Sequence, residues 1–443
     1  MSDAIRTLTA AMRKVVNYRM IWRWHFYAGL VCIPFIVVLS ITGPIYLFKP
    51  QIEAAIDAPY DHLPFDGAPH SVAAMVEAAR AANPGAVFRG VEVRPDTHDA
   101  ARVILLDKGE KLRVYVHPKT LAVLKQVPEE KRFMAQVKTI HGELLSGRVG
   151  EVIVELAACW AIVMIISGLY LWWPREAKGL RGLLWPRLDS GRRIFWRDLH
   201  AVTGVYISVF ALFLLLTGLP WTYVWGSAFK ALKGPDRPGV SQGWSLGRHE
   251  EHHMMMAQGG AAAPLDRLDD MVAMVRDLHM PPPVTLNAPG KHDPLWMAQS
   301  DTGNRPLRVS YKIDPQMMMV VDQERFRDKK AVDQIVGFGI AAHEGQLFGP
   351  LNQALGVLAA AGLMTLCVSA VVMWWQRRPD GRLGAPARLP DQRLGLGLGV
   401  LILALAVFLP VLGICLIVVG VVERLVLRRI RPVAQWLGLD ATG

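Results

Sequence analysis

Long apolar runs alternate along the chain with polar segments. A helix needs roughly 20 apolar residues to cross the hydrocarbon core of a bilayer. Runs that approach or exceed this length lie at residues 30–48, 152–173, 201–225, 355–375 and 394–422. The pattern predicts an α-helical polytopic membrane protein with four main spans and a C-terminal apolar span or hairpin, interrupted at Pro410.

The same pattern divides the chain into ten segments. They are an N-terminal segment with span 1 (1–49), a first outer module (50–140), span 2 (141–174), a loop (175–195), span 3 (196–225), a second outer module (226–342), span 4 (343–376), a loop (377–393), a C-terminal membrane segment (394–430) and a tail (431–443). Each outer module contains one amphipathic helical stretch, at 71–83 and 265–279, followed by alternating segments. The strongest strand signals are 87–93 and two hairpins, at 111–127 and 307–323. A small α+β module is therefore predicted to be inserted twice.

The distribution of charge predicts how these spans are oriented in the membrane. The chain is 52% hydrophobic, with a mean hydropathy of +0.26 and a formal net charge of +11. Arginines and lysines concentrate before span 1, between spans 2 and 3, and after span 4. The positive-inside rule places these segments and the N-terminus in the cytoplasm, and the outer modules in the periplasm of a Gram-negative cell. The rule also favours a C-terminal hairpin, and it accounts for the net charge without nucleic-acid binding.

Four histidines recur at matching distances from other residues. His25 precedes a Thr-Gly pair by 17 residues, as does His200. His141 and His343 each precede a Trp-Trp pair by 31 residues. Span, outer module and span are therefore predicted to occur twice, as a tandem duplication. Each copy crosses the membrane twice, so the two copies are expected to be parallel.

The positions of the histidines suggest a haem site. Ionisable groups at membrane depth are costly and usually functional, and two imidazoles facing each other across a helix bundle can bind haem iron. Zinc or copper would need three or four clustered ligands, and an ordinary interfacial histidine is the simplest alternative. Seventeen residues of helix measure about 25 Å. We therefore expect His25 to pair with His200 near the cytoplasm, and His141 with His343 near the periplasm.

Residues beside the inner histidines suggest how a flat cofactor could be held. Gly29 and Gly204 follow His25 and His200 by four residues, on the same helix face. The absence of a side chain there would leave room for a ring system. Arg23 and Arg197 could bind haem propionates, although plain positive-inside charge explains them equally well.

Several ordered motifs resemble the PepSY-associated transmembrane family, which includes inner-membrane ferric-siderophore reductases. They are WHFYAGL with ITGP, IHGELLSGRVG ending in GLYLWWPRE, AAHEGQLFGPLN ending in MWWQRRP, and the hairpins YVHPKTLAVL and YKIDPQMMMVV, which resemble PepSY modules. The second hairpin carries methionines where glycine is usual. The resemblance extends over nearly the whole chain.

The resemblance implies two haem b groups bound by His25, His200, His141 and His343. It also implies an inner-membrane reductase that passes electrons across the lipid bilayer to a ferric siderophore in the periplasm and releases Fe(II). A cytoplasmic flavoprotein or quinol would be the electron donor. The sequence contains no C-x-x-C-H motif for covalent haem attachment, which agrees with a b-type haem.

Two other interpretations stay open. The chain could be a membrane-anchored PepSY binding module without redox activity, with structural histidines. It could also be a transporter built on parallel repeats, although the spans show no matching Gly/Pro breaks and no carboxylate expected to be buried. The unrepeated loop at 249–256, rich in histidine and methionine, could bind copper or be a polar loop.

Overall fold

The computed structural model describes residues 2–173, 180–234, 264–290, 293–386 and 395–439, with side chains from Tyr18 onward. The chain divides into two compact units. The first, which we call the helical unit, comprises Met1–Pro44, Ile140–Lys233 and Leu355–Gly443. The second, the sheet unit, comprises Ile45–Thr139 and Gly234–Ala354. Each unit is therefore built from separate stretches of the chain.

The described helices and strands follow one another in this order. The helices are α1 (Ser2–Leu47), α2 (Lys49–Asp57), α3 (Val72–Ala81), α4 (Phe133–Glu143), α5 (Gly147–Trp172), α6 (Arg192–Gly218), α7 (Val224–Lys233), α8 (Leu268–Asp277), α9 (Ala331–His343), α10 (Pro350–Arg377), α11 (Leu396–Phe408), α12 (Pro410–Val422) and α13 (Arg431–Leu437). The strands are β1 (Val87–Val93), β2 (Ala101–Asp107), β3 (Glu110–Val116), β4 (Val123–Pro128), β5 (Val284–Asn287), β6 (Trp296–Ser300), β7 (Val309–Asp314) and β8 (Met319–Arg325).

Five helices in the described residues are long and apolar enough to cross a membrane. They are Tyr18–Leu47, Gly147–Trp172, Arg192–Trp221, Pro350–Arg377 and Pro410–Leu427. Large apolar side chains such as Val209, Phe213 and Ile417 are exposed on them. In water such surfaces would be unfavourable, whereas in a bilayer they face lipid. The prediction of a polytopic membrane protein is confirmed.

The C-terminal apolar run is broken at Pro410, which begins α12. Proline lacks a backbone N–H and its ring clashes with the preceding turn, so α11 cannot continue through it. The break lies beside α7, where Trp225 Nε1 donates a hydrogen bond to the carbonyl of Phe408 at 3.0 Å. A Cβ placed on Gly413 would lie 3.0 Å from the carbonyl oxygen of Ala406, so α11 and α12 approach closely beside the break.

The segment after α12 lies at the end of the helical unit that carries Arg23, Arg197 and Arg377, which we call the basic end. The backbone N–H of Leu383, which follows α10 closely, donates a hydrogen bond to the carbonyl of Trp436 in α13 at 2.9 Å. Because α12 starts beside α7 at the opposite end of the unit, it runs back toward the basic end. This direction is the one that the predicted hairpin requires.

Two carboxylates, Glu155 and Asp198, are buried within membrane-spanning helices, so the expectation that the spans contain no buried carboxylate is wrong. Glu155 of α5 is fully buried and accepts hydrogen bonds from the backbone N–H groups of Val224 (2.8 Å) and Trp225 (2.9 Å). The first N–H groups of α7 have no partner within their own helix, and the helix dipole favours a negative charge there. Glu155 therefore anchors α7 to α5.

The sheet unit contains a single eight-stranded sheet rather than two separate sheets. Its order is β4-β3-β2-β1-β5-β6-β7-β8, and every neighbouring pair is antiparallel. The two predicted modules supply four strands each and join through β1 and β5. A Cβ on Gly90 of β1 would lie 2.6 Å from the carbonyl oxygen of Leu286, so the junction needs glycine at this position.

The predicted helices and hairpins of both modules are present. Helices α3 and α8 pack on the sheet through a shared apolar core that includes Trp296. Asp269 of α8 accepts hydrogen bonds from the backbone N–H groups of Val72 (2.5 Å) and Ala73 (3.3 Å), so each module's helix contacts the other. Methionine replaces the usual glycine in the second hairpin, and Met318 adopts a φ of 50° there.

A buried charge network stabilises the first half of the sheet. Glu92 of β1 accepts hydrogen bonds from Arg102 (2.6 Å), Arg113 (2.6 Å) and Arg94 (3.2 Å). Burial alone would raise the pKa of Glu92, but the charges of Arg113 and Arg102 outweigh it and lower the pKa from 4.5 to about 2. The ionised carboxylate is therefore part of the folded state.

We predict that Glu92→Gln destabilises the sheet unit by roughly 3 kcal/mol, because three arginines lose their shared anion. In the native protein the stabilisation from the ionised Glu92 carboxylate is present above pH 4.5. It is lost as the pH falls from 4.5 toward about 2, because the pKa of Glu92 is lower in the folded state than in the unfolded state. Thermal unfolding in detergent, measured across this pH range, provides the test. Glu77→Gln, at an exposed position on α3, is the matched control. Equal melting temperatures for both variants would contradict the prediction.

Candidate functional site

His25 and His200 lie on α1 and α6 within the helical unit. The two imidazole rings are close enough to interact electrostatically. Each ring is also bonded to a serine on another helix: His25 Nδ1 lies 2.8 Å from Ser167 Oγ, and His200 Nδ1 lies 3.0 Å from Ser369 Oγ. The structure thus brings together the two histidines that the sequence predicts as a pair.

The second ring nitrogen distinguishes these histidines from ordinary structural ones. Among the described residues, none forms a hydrogen bond with Nε2 of His25 or His200. An imidazole held at Nδ1 can offer the Nε2 lone pair to a ligand or metal. The arrangement suits a pair of axial ligands approaching one group from two helices.

The glycines near these rings serve helix packing. A Cβ on Gly29 would lie 3.3 Å from Met164 Cε, and a Cβ on Gly204 would lie 3.7 Å from Leu366 Cδ2. The space beside each glycine is therefore taken by a side chain of the neighbouring helix, which corrects the expectation that these positions leave room for a flat ring. Gly168 contacts the ring of His25, because a Cβ on Gly168 would lie 3.3 Å from His25 Cε1.

His141 lies at the opposite end of α1 from His25. Its Nδ1 is 2.8 Å from Thr42 Oγ1, and a Cβ on Gly43 would lie 3.4 Å from its Cε1. Because Thr42 follows His25 by 17 residues on one helix, about 25 Å separates the two levels. His141 itself belongs to α4, a separate helix before the long α5. A tight turn joins the two helices. It needs glycine at position 150, because a Cβ there would overlap the carbonyl oxygen of Glu143.

His343 is the last residue of α9 and belongs to the sheet unit. The turn after it is held by Asn352, which donates a hydrogen bond to the carbonyl of Ala342 at 2.8 Å and accepts one from the N–H of Leu347 at 3.2 Å. Gln346 in the same turn donates to the carbonyl of Leu47 at 3.0 Å. These contacts fix the end of α9. The pairing of His343 with His141 stays a prediction from the repeat.

The two arginines considered as propionate ligands have protein partners. Arg23 is buried and donates to the carbonyl oxygens of Pro386 and Gly438, both at 2.8 Å. Arg197 donates from Nε (3.2 Å) and an Nη (2.9 Å) to Asp198, which also binds Arg187 at 2.7 Å. Both guanidinium groups thus have structural roles at the basic end: Arg23 holds the C-terminal segment, and Asp198 holds the loop before α6.

Ser167 and Ser369 are absent from the site predicted from the sequence, although the predicted repeat contains a signal for them. Each serine lies five residues before the first tryptophan of a Trp-Trp pair, at Trp172 and Trp374. Those tryptophans also behave alike, since each indole donates a hydrogen bond to a carbonyl of the following loop, at Leu183 (3.1 Å) and Leu383 (2.8 Å). A comparison of the two copies that included hydroxyl residues would have found both serines.

One further cluster has metal-ligand chemistry, in the sheet unit. His62, Asp96 and Asp99 place their ligand atoms close together, with His62 Nδ1 2.7 Å from Asp96. However, Arg94 Nε donates to Asp99 at 2.9 Å, and its positive charge opposes a cation. A hydrogen bond to Asp96 raises the pKa of His62, so the cluster is an ion-pair network. The loop at 249–256 lies outside the described residues.

Comparison with known proteins assigns a family to this arrangement. The family model of the PepSY-associated TM region matches residues 22–377 of the 443. The matched range contains the four candidate histidines of the predicted haem sites, together with Ser167 and Ser369. No curated protein matches the chain.

We predict that Arg23→Gln releases the C-terminal segment, because two carbonyl groups lose a charged donor at once. Cleavage by trypsin after Arg428 or Arg429 should become at least about tenfold faster in detergent-solubilised protein. Arg19→Gln, one turn earlier on α1, should leave the cleavage rate unchanged, since no hydrogen bond of Arg19 is described. Equal rates for the two variants would show that Arg23 does not hold this segment.

Proposed function

We propose that this chain, which belongs to the PepSY-associated transmembrane family, is an inner-membrane di-haem b reductase that delivers electrons to ferric siderophores. The observation that carries the proposal is the His25–His200 pair, with each Nδ1 bonded to a serine and each Nε2 left without a hydrogen bond from the described residues. A purely structural histidine pair would have no need to keep both Nε2 atoms available.

The residues fit a haem b. The donor set consists of two neutral imidazoles from different helices, which is the usual ligation of a b-type haem with two protein ligands. When bound, haem iron supplies reversible one-electron transfer between Fe(III) and Fe(II). His25 and His200 would supply the axial nitrogens, Ser167 and Ser369 hold the rings, and the apolar helices around them exclude water. By the repeat, His141 and His343 would hold a second haem.

The proposed direction of transfer follows from charge. Arginines at the basic end favour the cytoplasmic side, so His25 and His200 would lie near the cytoplasm and the PepSY-like sheet unit in the periplasm. A cytoplasmic flavoprotein or quinol would be oxidised, and Fe(III) in a siderophore would be reduced by one electron. Hard oxygen ligands hold Fe(II) less tightly than Fe(III), since its charge density is lower, so the iron would be released for uptake.

A binding module without redox activity is the second candidate, favoured by one observation. Strand β8 is an edge strand of the sheet, and Met319 and Val321 on it are 49% and 42% exposed. An exposed apolar edge can accept a peptide as an additional strand. This candidate requires no haem, so the absorption spectrum separates it from the reductase.

We predict two haem b groups per chain, with α and Soret bands in the dithionite-reduced protein. His25→Ala and His200→Ala should each halve the ratio of haem to protein, and the double variant should lose no more, because both residues bind one group. His279→Ala, at an exposed position in the sheet unit, is the control. Colourless protein from haem-replete cells would exclude the reductase and leave the binding module as the remaining candidate. Loss of both haems in one folded single variant would contradict the pairing.

We also predict that His141→Ala or His343→Ala blocks reduction of a ferric siderophore outside right-side-out vesicles. The reduced α band assigned to His25 and His200 should still develop when the donor is added, because nothing on the cytoplasmic side has changed. A ferrous-iron indicator outside the vesicles measures the product, and inverted vesicles serve as the orientation control. Undiminished iron reduction in the variants would place the outer histidines off the electron path.

A further inference from the structure

Two serines occupy equivalent positions beside the inner histidines. Ser167 on α5 bonds to His25 on α1, and Ser369 on α10 bonds to His200 on α6. Each serine thus comes from the second span of one copy and contacts the histidine of the first span. The same residue type at the same place in both copies indicates a shared task.

Each hydroxyl has one proton, and a carbonyl oxygen of its own helix lies within hydrogen-bond distance to accept it. Ser167 Oγ donates to the carbonyl of Val163 at 2.7 Å, and Ser369 Oγ donates to the carbonyl of Thr365 at 2.6 Å. With its proton directed to its own helix, each hydroxyl can only accept from the imidazole. The ring nitrogen that faces the serine must therefore carry the N–H.

A second contact supports this assignment for His200. Its Nδ1 also lies 3.2 Å from the carbonyl oxygen of Leu366, which can only accept a hydrogen bond. Nδ1 of His200 is therefore the protonated nitrogen, and the lone pair is on Nε2. A hydroxyl bonded to its own helix also faces His141, because Thr42 Oγ1 donates to the carbonyl of Val38 at 2.8 Å.

We infer that Ser167 and Ser369 are positioning residues that fix the Nδ1–H tautomer of His25 and His200 and direct both Nε2 lone pairs to one ligand site. The assignment of the tautomer rests on hydrogen-bond geometry alone. Its consequence for an iron ligand rests on the proposed function.

The consequence is electronic as well as geometric. A hydrogen bond accepted from Nδ1–H makes the imidazole a stronger donor at Nε2. A stronger donor stabilises Fe(III) relative to Fe(II), so the serines would lower the reduction potential of the inner haem. Loss of a serine should therefore raise this potential, and Thr, which keeps the hydroxyl, should largely restore it.

The experiment compares Ser167→Ala, Ser369→Ala and their Thr counterparts with Ser208→Ala in full-length protein. Ser208 on α6 is the matched control, because it is buried and donates to the carbonyl of Gly204 at 2.5 Å but has no described bond to a histidine. Redox titration should give a higher inner-haem potential for the two alanine variants at unchanged haem content. Ser208→Ala should match the parent, and the threonine variants should largely restore its potential.

A second readout is independent of haem. Nitrogen-15 spectra of histidine-labelled full-length protein from haem-depleted cells, in lipid, distinguish the Nδ1–H from the Nε2–H tautomer without iron on Nε2, and His25→Ala and His200→Ala assign the signals. We expect Nδ1–H for both residues in the parent, with loss of this preference for His25 in Ser167→Ala. If protein from haem-replete cells is colourless, the proposed function fails and these spectra still decide the tautomer. Nε2–H in the parent, or potentials in the two alanine variants equal to that of Ser208→Ala, would overturn the inference.

Discussion

A hydrogen bond between a ring nitrogen and a hydroxyl on a neighbouring helix ties the helical unit together. His25 and Ser167 connect α1 to α5 at the basic end, and Thr42 and His141 connect α1 to α4 about 25 Å away. Within lipid, a polar ring without a partner would cost several kcal/mol. The need to satisfy each imidazole therefore fixes which helices meet and at what level.

Other polar groups in the helical unit obey the same constraint. Glu155 is satisfied by the first N–H groups of α7, and Arg23 by two carbonyl groups of the C-terminal segment. Such groups are committed to the fold. The inner histidines differ because the described residues use only one of their two ring nitrogens. This difference, more than their burial, makes them candidates for ligand binding.

The sheet unit follows a different principle, because its strands must pair edge to edge. Strands β1 and β5 would each be an exposed edge if the two modules folded separately, and their pairing removes both edges. Gly90 permits the close approach, and Asp269 links the helices of the two modules. The outermost strands, β4 and β8, are the edges that remain.

The sequence by itself determined the spans, the break at Pro410 and both hairpins, because each depends on local apolar patterning, and the spacing in the predicted repeat singled out the four candidate histidines. It missed β2, β5 and β6, since short or fully buried strands lack the alternation of a half-exposed strand. Only the tertiary structure decided that the two modules share one sheet, that Gly29 and Gly204 pack against helices, and that Ser167 and Ser369 hold the inner histidines. These features depend on contacts between residues more than 100 positions apart, which no local pattern encodes.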